Sequence, residues 1–296
     1  MSLTHEVSLW SAIKQEHGEP MQESAMPKPS NATDCSSPDR VAIASHLYIS
    51  RGATDASTRC QLNSEFGSRD LVAELLAELR LKQGDFLLDV GCGAGQHLVN
   101  FGAQVGDSGR VLGVDYSQDA ITQACARGQA GVVASGARLP LRDGTVDALT
   151  CNYAIYYFND ISAVLAELRR VLRPGGRMVL SGPARGSNRE LYAFHLAATG
   201  SEPSDADGLA LGFVDDVVAK LLPSSGFESI HLDGFENPVT FPDAKTFLDY
   251  WTATSLFART SGATREMGEA CFRDSGKQEV VITKCVSLLS AVRTTG

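Results

Sequence analysis

Between residues 71 and 183 the chain alternates short, almost wholly apolar runs with stretches whose apolar residues recur every three or four positions. That alternation constrains the fold more than any other feature. FLLDVG, RVLGVDYS, GVVASG, VDALTCNYA and RMVLSGP have the length of strands, and they are apolar as strands are when both faces of a sheet are covered. Leu71, Val72, Leu75, Leu76 and Leu79 share one helical face, with Ser68 or Asp70 placed to cap it. Ser117 is placed to cap QDAITQACARG, which Gly128 ends. Ile161, Val164, Leu165, Leu168, Val171 and Leu172 mark a third helix, and Arg173-Pro174-Gly175-Gly176 is expected to stop it. Strands alternating with helices imply βαβ units in an α/β, doubly wound parallel sheet. Such a sheet binds ligands beyond the carboxyl ends of its strands, near the switch in strand order.

Outside that region the pattern weakens. Residues 1–40 are polar, carry Pro20, Pro27, Pro29 and Pro38, and read as a mobile arm. Residues 41–69 read as an N-terminal lid segment, 70–183 as the core, and 184–296 as the rest of the same domain with lid insertions. With 43% hydrophobic and 21% charged residues the chain is neither disordered, collagen-like nor coiled-coil. Its net charge of −9 makes a polyanion a poor partner, so nucleic acid is not expected. No run approaches the ~18–20 apolar residues of a membrane span, and no secretory signal is read at the start. The seven cysteines show no CxxC spacing, which suggests neither a disulfide framework nor a zinc site and fits a reducing, cytoplasmic setting. No metal ligand set is expected.

The chemistry concentrates in Asp89-Val90-Gly91-Cys92-Gly93-Ala94-Gly95-Gln96, directly after the first strand. Glycines there let the backbone turn sharply and let a ligand lie against it. Asp115 ends the next strand, where a carboxylate can accept both hydroxyls of a ribose. A nicotinamide-binding turn needs glycine or alanine at the sixth motif position to face a pyrophosphate. Here Gln96 stands there, and Asp89 would repel a pyrophosphate but suit an ammonium group. A ribose with an ammonium and no phosphate describes S-adenosylmethionine. The bland alternative is a tight turn that binds nothing.

DVGCGAG, then GVDYS, then ARLPLRDGTVDALTCNYAIYYF, then LRRVLRPGGRMVLSGP resemble, in order, a class I S-adenosylmethionine-dependent methyltransferase of the small-molecule, ubiquinone/menaquinone-biosynthesis type. The resemblance implies a seven-stranded, mostly parallel sheet whose last strand is antiparallel, with helical lid additions; GFESIHLDGF and QEVVITKCVSLLSAVR fit strands six and seven. It implies that Asp89, Gly91, Gly93, Gly95 and Gln96 cradle the cofactor, that Asp115 holds the ribose with Ser117 beside it, and that Tyr116 packs on the adenine. Ala137 and Arg138 match a loop that meets the adenine edge, although relatives often carry Asp where this chain has Gly136. Asn152 and Tyr153 match residues touching the methionine portion, and Tyr48, with Arg51 or Arg59, could reach over its carboxylate. Tyr156 and Tyr157 stand where relatives often have a His pair facing the substrate.

For the acceptor side, Tyr157 and His195 are the candidate catalytic groups, His46 and His231 the other histidines near possible substrate surfaces. Tyr156, Tyr157, Tyr192, His195, Tyr250 and Trp251 are the candidate substrate contacts. Each has a plain structural alternative: a lid histidine, a core aromatic, or the buried face of an amphipathic helix at 243–257. The expected function is methyl transfer to a small aromatic or isoprenoid metabolite, possibly in secondary metabolism. The rival functions are a non-catalytic cofactor-binding or regulatory protein on the same scaffold, and a nicotinamide-dependent oxidoreductase. An Asn-Pro-Pro-aromatic signature of DNA amino-methylation is absent, since Tyr153-Ala154-Ile155 follow Asn152.

Overall fold

The computed structural model describes residues 56–276 and 279–295. Seven strands form one sheet in the order β3-β2-β1-β4-β5-β7-β6. β1 (Phe86–Val90), β2 (Arg110–Asp115), β3 (Gly131–Val133), β4 (Val146–Asn152) and β5 (Leu172–Pro183) are parallel, while β7 (Val280–Arg293) runs antiparallel to both β5 and β6 (Phe227–Phe241). This is the doubly wound α/β sheet with an antiparallel last strand that the sequence implies.

Successive strand residues face opposite sides. Leu87 packs into one layer with Leu75 and Leu79 of α1 (Leu71–Leu79) and Phe101 of α2 (Leu98–Val105). Leu88 packs into the other, with Val164, Leu165 and Leu168 of α4 (Ile161–Val171) and the π-helical turn Val214–Val218. The helix α3 (Gln118–Ala126) covers β2 and β3. Side-chain caps start three of these helices, α1, α3 and α4: Asp70 accepts from Val72 N–H, Ser117 from Ala120 N–H and Asp160 from Ala163 N–H. Each such cap contributes about 1 kcal/mol.

Two local expectations need correction. The helix α4 ends at Val171, just before Arg173-Pro174-Gly175-Gly176 as expected, but strand five begins earlier than RMVLSGP: Leu172 already pairs with Val146, and the extra residues bulge before Arg177 pairs with Ala148. A bulge leaves a residue unpaired, which is where a proline can stand in a strand. Strand six runs on through Glu236 to Phe241, because β7 pairs with it along that length.

Beyond the carboxyl ends of β4 and β5 lies a third apolar layer. It is built by α5 (Arg189–Thr199), α6 (Ala244–Thr252), α7 (Ser255–Arg259), α8 (Arg265–Ser275) and the far ends of β6 and β7. Phe194 sits at its centre, 4.7 Å from Phe247 and 5.2 Å from Trp251 between ring centroids. Among the described residues no helix is long and apolar enough to cross a membrane.

Candidate active site

The chain moves outward from β1 to β2 and β3, then returns to β4 on the other side of β1. The switch in strand order therefore falls between β1 and β4. Asp89, the glycine turn and Asn152 all sit at that point.

The three glycines of the turn have different reasons to be glycine. A Cβ on Gly91 would stand 2.3 Å from Ala154 Cβ, and one on Gly95 would stand 2.9 Å from Ala124 Cβ. These two let the turn close against β4 and α3. At Gly93, with φ +55°, a Cβ would meet nothing within 4 Å among the described residues. A side chain there would fill the cradle rather than clash with the protein.

Two buried carboxylates flank this turn, each 3% exposed. Asp115 is anchored: its Oδ2 accepts from Gly93 N–H and its Oδ1 from Ser117 N–H, both at 2.9 Å. Asp89 is not, and its buried Oδ1 has no hydrogen-bond partner among the described residues. Burial, reinforced by the charge of Asp115, raises the Asp89 pKa from its ordinary 3.8 to about 7. An unpaired buried carboxylate is costly, and a cation beside it would restore the charged form. Asn152 repeats the pattern: its Oδ1 accepts from Thr150 and Ser181 hydroxyls, while its buried Nδ2 is left unpartnered. One orphan acceptor and one orphan donor at the switch point, next to an open glycine, fit the amino-acid end of S-adenosylmethionine. Tyr116, just past Asp115, is 65% exposed, so its ring face is available.

The loop after β3 departs from expectation in an informative way. At Gly136 a Cβ would stand 2.7 Å from two ring carbons of Phe158. The Ala137 N–H is donated to Ser135 Oγ and the Arg138 N–H to Ser135 O, at 3.3 and 2.9 Å. Phe158 thus occupies the ground an acidic side chain would need, and Ser135, through its hydroxyl and its carbonyl, takes up the two backbone donors.

Directly after β4, Tyr153 adopts φ +52°, a left-handed conformation rare for a tyrosine, with its N–H donated to Ser181 O at 2.9 Å. Such strain, about 1–2 kcal/mol, persists where surroundings enforce it. The rings of Tyr156 and Tyr157 lie 4.6 Å apart. Burial raises the Tyr153 and Tyr156 pKa values, so both are neutral phenols. The helical stretch 56–66 bridges this region: Ser57 Oγ accepts from Gln96 at 2.7 Å, and Arg59 donates to Ala253 O. The Arg59 charge also acts on Tyr156. Tyr48, Arg51 and His46 lie outside the described residues.

The structure places His195 differently from a catalytic base. It is fully buried; its Nδ1 accepts from Trp251 Nε1 at 3.1 Å, and its Nε2 faces Thr260 Oγ1 at 2.9 Å. The Thr260 hydroxyl donates to Leu256 O, so the imidazole carries its proton on Nε2 and has no free lone pair. Trp251 is likewise fully buried, and Tyr192, 6% exposed, donates to Asp207 O. These three belong to the apolar layer. His231 is exposed in the middle of β6, opposite Ser290, away from the strand tips. Among the described residues no cluster of His, Cys, Asp or Glu could hold a metal.

Sequence reading missed Lys284 of β7. It is 9% exposed, donates to Asn188 Oδ1 at 2.6 Å and to the Tyr250 hydroxyl, and lies 4.7 Å from that ring's centroid. The only signal was a lysine in phase with Ile282 and Val286 within an apolar run.

Residues 88–180 match the family profile of a methyltransferase domain. The chain is 35% identical over 121 residues to the 2-phytyl-1,4-naphtoquinone methyltransferase of Trichormus variabilis, covering 38% of this chain and 53% of that protein. It is also 35% identical over 146 residues to an uncharacterized 37.1 kDa protein in transposon Tn4556 of Streptomyces fradiae, covering 48% and 42%. The chain thus spans about half the length of these curated relatives. A SAM-dependent methyltransferase structure from Aquifex aeolicus shares the fold, with a TM-score of 0.50 and 16% identity over 80% of this chain and 98% of that one. Strand order and glycine turn place residues 88–180, the stretch that matches the methyltransferase-domain profile, on the fold which the Aquifex structure shares.

Proposed function

We propose that the protein transfers the methyl group of S-adenosylmethionine to a small aromatic or isoprenoid metabolite. The observation that carries this reading is the unpartnered Asp89 carboxylate beside the anchored Asp115, on either side of the open cradle at Gly93. Bound there, the cofactor supplies an electrophilic methyl group. Asp89 and Asn152 would hold its amino-acid end, Asp115 the ribose, and Tyr116 the adenine face. A diphosphate suits this turn poorly, because Asp89 faces the same space and Gln96 is committed to Ser57.

The remaining task is geometric. In-line displacement needs the acceptor atom about 3–3.5 Å from the methyl carbon, with water excluded. Tyr153, Tyr156 and Tyr157, beyond β4, supply a wall for that space, and the neutral phenols of Tyr153 and Tyr156 can donate or accept without adding charge. The 2-phytyl-1,4-naphtoquinone methyltransferase among the relatives supports an aromatic, isoprenoid-bearing acceptor. Isothermal titration with S-adenosylmethionine, S-adenosylhomocysteine and NADH tests the reading. Saturable binding of both sulfur nucleosides and none of NADH is expected; the reverse pattern overturns it. Tight binding without methyl-tritium labelling of any lysate metabolite would favour a regulatory protein on the same scaffold.

A further inference from the structure

Lys284 is a buried ammonium with no carboxylate within 4 Å among the described residues. Its hydrogen-bond partners are an amide oxygen, of Asn188, and a hydroxyl, of Tyr250, rather than a carboxylate. Glu190, on the same end of α5, spends its oxygens on Thr283 and Arg189, and Thr283 faces the opposite side of the strand from its neighbour Lys284. Holding a cation out of water without a counter-charge is expensive, and a structural role would be filled more cheaply by a neutral side chain. An ammonium has three N–H groups, and two are taken.

Its position gives the third one a purpose. Pro183 pairs with Val286, and Ala184 N–H donates to Cys285 O, so Lys284 lies just past the carboxyl end of β5. That is the side on which Asn152 and the strained Tyr153 stand.

We propose that Lys284, aimed by Asn188 and Tyr250, is the anion subsite for the methyl acceptor and pairs with an ionised oxygen of that acceptor, either a carboxylate or an acidic phenol. This rests on the methyl-transfer reading and narrows its substrate class. The test is isothermal titration of the full chain saturated with S-adenosylhomocysteine, using matched probes. Benzoate is compared with benzyl alcohol and 2-naphthoate with 2-naphthalenemethanol for the carboxylate source. For the phenolate source, 4-nitrophenol is compared with nitrobenzene. At least one acid should bind about tenfold more tightly than its neutral partner, the effect of one charge-assisted hydrogen bond. Lys284→Met should erase that preference and Lys284→Arg retain most of it, with S-adenosylhomocysteine affinity unchanged in both. Wild-type protein that binds no acid better than its isostere overturns the assignment, whatever the variants do. So does a Lys284→Met protein that keeps the preference. Failure to bind S-adenosylhomocysteine at all overturns the methyl-transfer reading instead.

Discussion

The ring of Phe158 fills the space into which any side chain at Gly136 would project, leaving 2.7 Å between its carbons and a Cβ there. Gly136→Asp is therefore expected to overpack the loop, at a cost of about 1–3 kcal/mol. It should lower the melting temperature without improving S-adenosylhomocysteine affinity. Adding Phe158→Ala should recover part of that loss by making room. A single Gly136→Asp variant that melts like wild type would show the ring to be freely displaceable.

Asp115 holds the glycine turn and the start of α3 by accepting from Gly93 and Ser117 N–H groups at the tip of β2. Asp115→Ala should weaken S-adenosylmethionine binding by about 10–100-fold, the worth of one strong charge-assisted contact. Titration calorimetry reads this directly, and unchanged affinity would remove the cofactor from this strand end.

Asp89 predicts a pH dependence. Its folded-state pKa, about 7, lies above its ordinary 3.8, so between those values the folded protein binds more protons than the unfolded chain. Ligand-free stability should fall as pH rises across that window, and Asp89→Asn should flatten that fall. A cation favours the ionised form, so affinity for S-adenosylmethionine should rise with pH toward 7 in wild type and not in Asp89→Asn. Chemical denaturation and titration at pH 5, 6 and 7.5, roughly spanning the interval, measure both slopes.

The glycine turn separates packing from binding. Gly91→Ala would drive a methyl into Ala154 and should reduce stability most. Gly93→Ala meets no atom of the described residues within 4 Å; it carries the cost of a left-handed alanine, about 1 kcal/mol, yet should lose most cofactor affinity. Paired melting and binding curves should rank the two variants oppositely.

For His195 the expected phenotype is structural. Removing the ring leaves Trp251 Nε1 buried without an acceptor and opens a cavity, so His195→Ala should cost about 2–4 kcal/mol. Cofactor affinity at a temperature where the variant is folded should be unchanged. Burial also lowers the His195 pKa, so its contribution to stability should be lost as pH falls below the ordinary 6.5.

What could be read from sequence was what local chemistry decides. Asp70 and Ser117 cap because their side chains reach N–H groups two or three residues on, and Asp89 and Asp115 end strands whose apolar runs are self-evident. What escaped depends on partners far along the chain. The true reach of β6 follows from β7, about fifty residues later. His195 is locked by Trp251 and Thr260, 56 and 65 positions away, and Lys284 by Asn188, 96 positions away. Nothing at those positions announces the partner, so a histidine with both nitrogens engaged and one with a free lone pair read alike.

Because β7 is threaded between β5 and β6, the outer rim of β5 from Arg177 to Pro183 is sealed by the far end of the chain. A shortened protein ending at Pro183 would keep the glycine turn and both acidic strand ends but bare that rim, a ready template for zipping onto copies of itself. The acidic strand tips and the cover of that rim are thus supplied by widely separated stretches of the same polypeptide.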